Sequence, residues 1–130
     1  MPFCGGRPRW KLCRRFFDRP PFTEWVSKGV ASREDATRQA IAGFGPACGV
    51  DQAFPGVVHL IAKYQKDPRE GLIANVMAGG DSAARGLIAG MVLGAYAGTD
   101  AVSDDWLQDM QCRKAVERDL SVLAERRGTR

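Results

Sequence analysis

The residues Gly79-Gly80-Asp81-Ser82 place more usable chemistry side by side than any other short stretch of the chain. Two adjacent glycines allow a sharp backbone turn and a close approach to a ligand. A helix starting just after them offers unpaired N–H groups and the positive end of its dipole, which suit phosphate. Asp81 adds a hard oxygen ligand of the kind Mg²⁺ takes. One reading is therefore a phosphate-bearing ligand with a divalent metal ion, Asp81 holding the metal and Gly79, Gly80 and Ser82 lining the ligand. The other reading is local. A glycine that ends one helix and an Asp or Ser that caps the next account for the same four residues with no ligand. The residue pattern identifies no catalytic group.

Little else in the sequence can do chemistry. The single histidine, His59, stands among apolar residues at helical spacing, which predicts a hydrogen-bonded core side chain. The four cysteines (Cys4, Cys13, Cys48, Cys112) lack metal-site spacing and predict free thiols in a reducing, cytoplasmic compartment.

Two helices must position the corner. The first starts at a strong signal, Asp67-Pro68-Arg69-Glu70: a capping Asp, a proline at the first helical position, and Glu three residues after the cap. It carries Leu72, Ile73, Val76 and Met77 and ends at Gly79. The second follows Asp81 or Ser82 and runs to about residue 97, with Gly86, Gly90, Gly94 and Gly98 every fourth residue. Such a row lies on one helix face and costs about 1 kcal/mol per glycine relative to alanine. It predicts a central, buried helix with another backbone lying in its glycine groove.

The remaining helices are read from period and caps. A short amphipathic helix is expected over 23–30. Ser32 with Asp35 predicts a capped helix from Arg33 through Ala36, Ala40 and Ile41 to Gly43. Phe54, Val57, Val58, Ile61 and Tyr64 predict a helix from Asp51 or Pro55, with Pro55 tolerable only in the first turn. Ser103 is expected to cap a last helix carrying Trp106, Leu107, Met110, Val116, Leu120 and Leu123, frayed from Glu125 onward. With no alternating pattern anywhere, the class is all-α: a helical bundle of about five helices.

The 130 residues bound the chain to one domain, and 45% hydrophobic with 26% charged residues is ordinary for a globular protein. The net charge of +4 is concentrated. Residues 1–20 hold six basic residues and one acid, leaving the rest of the chain slightly acidic. Residues 1–22 are read as a basic, poorly ordered arm, possible organellar targeting included, and 23–130 as the helical domain. Trp10, Phe16 and Phe17 among the arginines could stack on bases, but nothing else points to nucleic acid. The uncharged run 86–99 is too short to span a bilayer.

Several stretches resemble one family. Gly43-Phe44-Gly45-Pro46-Ala47-Cys48, the run from Ala53 to Ile61, the glycine-rich 75–98 segment and Trp106-Leu107 are similar to the C-terminal part of the ADP-ribosylglycohydrolases. The branch that they most resemble includes the jellyfish lens J-type crystallins. The resemblance implies an all-α enzyme that uses two Mg²⁺ ions to release ADP-ribose from modified proteins or small molecules. In the family the turn reads Gly-Gly-Asp-x-Asp-Thr, with both Asp residues and the Thr contacting metal. Asp81 matches the first Asp, while Ala83 and Ala84 stand where the second Asp and the Thr belong. The family's N-terminal acidic motif, near a Gly-Asp-Ala-Leu-Gly segment, has no match here. The expectation is an incomplete domain that hydrolyses an ADP-ribosyl bond only when completed by the missing half. The alternative is a non-catalytic remnant or crystallin-like structural protein. An incomplete domain would also expose apolar faces and self-associate.

Overall fold

In the computed structural model, residues 20–98 and 104–128 are described, and all regular structure among them is helical. Seven α-helices follow in order: α1 (Phe22–Ala31), α2 (Thr37–Phe44), α3 (Val50–Tyr64), α4 (Pro68–Ala78), α5 (Ser82–Ala97), α6 (Asp104–Asp109) and α7 (Arg113–Gly128). A 3-10 turn, Ser32–Glu34, joins α1 to α2. The all-α reading therefore holds, with more and shorter helices than the periodicity predicted.

The hub is α3, which packs on α1, α2, α4 and α5. It buries Pro55, Gly56, Val57, His59 and Leu60. With Ala40 and Ile41 of α2 and Ala89 and Leu93 of α5, Val57 and Leu60 make the apolar core. Full burial of a leucine such as Leu60 contributes about 1.5–3 kcal/mol. Phe22, Trp25 and Phe54 seal the α1–α3 end through edge-on ring contacts at 5.2–6.2 Å.

The expected centrality of α5 is corrected by this arrangement. The helix buries one row, Arg85, Ala89 and Leu93, four residues apart. Its outer face leaves Leu87, Ile88, Met91, Val92 and Tyr96 exposed. Among the described residues no backbone lies in the glycine groove. Side chains approach instead: Asn75 Nδ2 at Gly86 and Leu72 Cδ2 at Gly90, with nothing near Gly94. The close backbone approach occurs elsewhere. At Gly29 of α1 a Cβ would lie 2.6 Å from the Pro55 carbonyl oxygen and 2.6 Å from Val58 Cβ, so glycine is what lets α1 sit down on α3.

Local signals fared unevenly. Asp67 caps α4 as expected, its Oδ1 accepting from the Glu70 N–H at 3.0 Å. Pro55 lies in the second turn of α3, not the first, and removes one intrahelical donor there. Ser32 is not an N-cap but closes α1 as its C-cap, its backbone N–H bonding the Lys28 and Val30 carbonyls; its hydroxyl donates to the Gly29 carbonyl and contacts His59, and α2 starts only at Thr37. The expected last helix is two, broken at residues 110–112, and its Ser103 cap lies outside the described residues. The end of α7 is helical through residue 128, with Arg126 and Arg127 in the last turn where the dipole favours cations. Val116, Leu120 and Leu123 are exposed rather than core. The basic arm over 1–22 falls almost wholly outside the described residues, and α1 begins at Phe22.

Candidate functional site

The corner between α4 and α5 is built from four directions. Gly79 and Gly80 both adopt left-handed φ values of 75° and 65°, which other residues resist. A Cβ at Gly80 would overlap the Pro46 carbonyl group. That same carbonyl accepts from the Asp81 N–H at 2.9 Å, fastening the turn to the α2–α3 loop. Asp81 then caps α5, its Oδ1 accepting from the Ala84 N–H at 3.2 Å. Asp81 and Ser82 are half-buried, and Gly80 is exposed.

Beneath the turn lies a pair that the sequence reading passed over. Arg85 is 1% exposed. Its Nε donates to Asn75 Oδ1 at 3.2 Å, and its Nη2 donates to the Gly79 carbonyl. Asn75, also buried, donates from Nδ2 to the Ser82 carbonyl at 2.8 Å. The two carbonyls on either side of Gly80-Asp81 are thus gripped from the interior. Glycines make room for the grip: a Cβ at Gly56 would sit 3.0 Å from Arg85 Cδ, and one at Gly86 would sit 2.8 Å from Asn75 Nδ2. Arg85 Nη1 is buried without a hydrogen-bond partner. Burial lowers the pKa of the guanidinium from its usual value, and the Asp81 carboxylate partly offsets this. A signal existed in the sequence. Arg85 is the one charged residue in the run 82–99, and it shares a face with Ala89 and Leu93.

Among the described residues no three His, Cys, Asp or Glu side chains cluster to hold an ion. Asp81 stands without a second carboxylate, and one of its oxygens is engaged as the helix cap. Ala83 and Ala84, both exposed, offer no side-chain oxygen. A guanidinium already stands one helical turn away. These residues do not fit a magnesium site, which takes oxygen ligands in near-ideal octahedral geometry. The N-terminus of α5 is likewise already served by its own carboxylate, which leaves less of its dipole for an outside anion.

His59 is a core residue, as the sequence predicts. It is fully buried, with Nδ1 2.8 Å from Ser32 Oγ and Nε2 3.1 Å from Thr37 Oγ1. Thr37 Oγ1 lies 2.8 Å from the Tyr64 hydroxyl. Because the Ser32 hydroxyl gives its proton to the Gly29 carbonyl, His59 Nδ1–H is the donor on that side. Tyr64 then donates to Thr37 and Thr37 to the bare Nε2. Every group is satisfied with His59 neutral. Burial, then the charge of Lys63, lowers its pKa below the usual value.

A family model described as ADP-ribosylglycohydrolase matches residues 9–130. No curated protein and no solved structure gives a match.

Proposed function

The chain belongs to the ADP-ribosylglycohydrolase family, and from that premise we propose that it serves hydrolysis of an ADP-ribosyl glycosidic bond, with the 79–82 turn as one wall of the ligand site. The observation that carries this reading is the construction of the turn. Asp81 is half-buried: its backbone N–H donates to the Pro46 carbonyl, its carboxylate accepts from the Ala84 N–H, and the Arg85–Asn75 pair grips the Gly79 and Ser82 carbonyls on either side. Ionised Asp81 only accepts hydrogen bonds, so it suits the hydroxyls of a ribose. Gly79, Gly80 and Ser82 line the approach. The reading requires further carboxylates to hold any Mg²⁺, which Asp81 alone does not do. On this reading ADP-ribose, or an ADP-ribosylated substrate, is the partner, and nucleic acid is not. Exposed thiols at Cys48 and Cys112 suit a cytoplasmic setting. No described helix is long and apolar enough to cross a membrane.

A second reading, a non-catalytic or structural member of the family, is favoured by Ala83 and Ala84 and by the use of one Asp81 oxygen as a helix cap. Calorimetry with ADP-ribose separates the two. Asp81→Asn keeps a good N-cap and removes the charge. The hydrolase reading expects heat from the parent and about tenfold weaker binding by the variant, the cost of a hydrogen bond to a charged group. Equal affinities would remove Asp81 from the site. A parent chain giving no heat leaves the non-catalytic reading.

A further inference from the structure

The outer side of α5 carries no charge. Leu87, Met91, Gly94 and Gly98 follow one another at spacings of four, three and four, which keeps them on one helix face. That face points away from the buried row Arg85, Ala89 and Leu93. Ala84, Ile88 and Ala95 flank it, so roughly four turns of helix surface hold neither a charged nor a hydrogen-bonding side chain. The other exposed apolar row differs. On α7, Val116, Leu120 and Leu123 stand among arginines and acids that suit a helix in water. The apolar surface of α5 also continues onto α4. Leu72 Cδ2 would lie 3.6 Å from a Cβ at Gly90, and Leu72 lines the open pocket beside exposed Val76 and Met77. The open side chains of α4 and α5 offer about 700 Å² of apolar area, close to the ~800 Å² that each partner gives a stable interface.

We propose that this face of α5, with Val76 and Met77 at its edge, is the contact between two copies of the chain, paired antiparallel about a two-fold axis at Met91. A two-fold interface must be complementary to itself. A face without charges meets its own copy without like-charge repulsion. The sizes of the side chains alternate as the pairing requires. With Met91 on the axis, Leu87 lies opposite Ala95 of the second copy, and Ile88 opposite its Gly94. Each large side chain therefore meets a small residue. A Cβ at Gly94 would meet nothing within 4 Å among the described residues, and that open space is what Ile88 of the other copy fills.

Sedimentation equilibrium on the full chain tests this. The expected result is a monomer–dimer equilibrium that saturates at two copies. Gly94→Arg puts bulk and charge on the shared face and strikes nothing in the single chain. It should raise the dimer dissociation constant by about tenfold or more. The melting midpoint of the dilute, monomeric variant should be no lower than the parent's, since arginine suits a helix better than glycine. Leu120→Arg on α7 should change the dissociation constant by less than about twofold. A parent that is monomeric at every concentration overturns the proposal. So does assembly that passes two copies without saturating, or a dimer lost with Leu120→Arg and kept with Gly94→Arg. Should Gly94→Arg fail to fold, Met91→Cys decides, in a chain whose four native cysteines are serine. Oxidation should link two copies through the residue on the axis, and a chain that stays unlinked overturns the proposal.

Discussion

His59 and Arg85 show two ways of burying a titratable group. His59 is neutral, and both ring nitrogens are matched to hydroxyls that finish their chains at Gly29 and Tyr64. Protonation would put a second N–H against Thr37 and force that hydroxyl and Tyr64 to reverse. The nearby charges oppose each other, Lys63 against protonation and Asp35 for it. Since the folded-state pKa is lowered, the unfolded chain takes up the proton first as pH falls through about 6.5. Stability from this group is full above that pH and is lost below it, by at most about 1.4 kcal/mol per pH unit. Urea midpoints should therefore fall between about pH 7.5 and about pH 5, and His59→Gln should flatten that part of the profile. An equal slope in the variant would assign the acid sensitivity to other groups. The core role of His59 was legible from its apolar neighbours. Its partners were not, because Ser32 and Thr37 lie 27 and 22 positions away.

At the scale of elements, the glycines of α5 do different jobs that a row spaced by four conceals. Gly86 makes way for Asn75, which in turn holds Ser82 and Arg85. A Cβ at Gly94 would meet nothing within 4 Å among the described residues. Gly94→Ala should raise the urea midpoint by the helix propensity alone, about 0.5–1 kcal/mol. Gly86→Ala should lower stability by about 1–3 kcal/mol, because Asn75 must move and leave a buried guanidinium short of a second partner. Equal effects at the two positions would mean that the Asn75–Arg85 pair does not depend on the room at Gly86. The row of four identified a face of small residues correctly. It could not say whether a backbone, a side chain or solvent fills that face.

Across the whole molecule, apolar surface is left open. Leu87 and Met91 on α5 are 65% and 59% exposed. Val76 and Met77 on α4 are exposed beside an open pocket of about 300 Å³ that Leu72, Ile73 and Trp106 also line. Among the described residues α6 and α7 pack only lightly on the rest, one link being the Arg69 guanidinium 5.4 Å from the Trp106 ring. Contiguous patches of this kind favour association. Sedimentation velocity on the full chain is expected to show a weight-average mass that grows with concentration. The double variant Leu87→Lys, Met91→Lys should remove most of that growth. A parent that stays monomeric at all concentrations would show that the exposed stripe does not drive self-association.

The sequence by itself determined what is local or repeated along the chain. The helix class follows from period, the start of α4 from Asp67-Pro68, and the family from the residues of the turn and the helix after it. A hydrophobic period tells which face of a helix is apolar, and nothing about what covers it. Tertiary structure decided that α3 is the hub, that α5 leaves Leu87, Ile88, Met91, Val92 and Tyr96 exposed, and that Arg85 goes inside. The reason is physical: Arg85 can be buried here because the Asn75 and Gly79 oxygens and the space at Gly56 converge on it. Gly79 and Asn75 lie in neighbouring stretches, but Gly56 arrives from another helix.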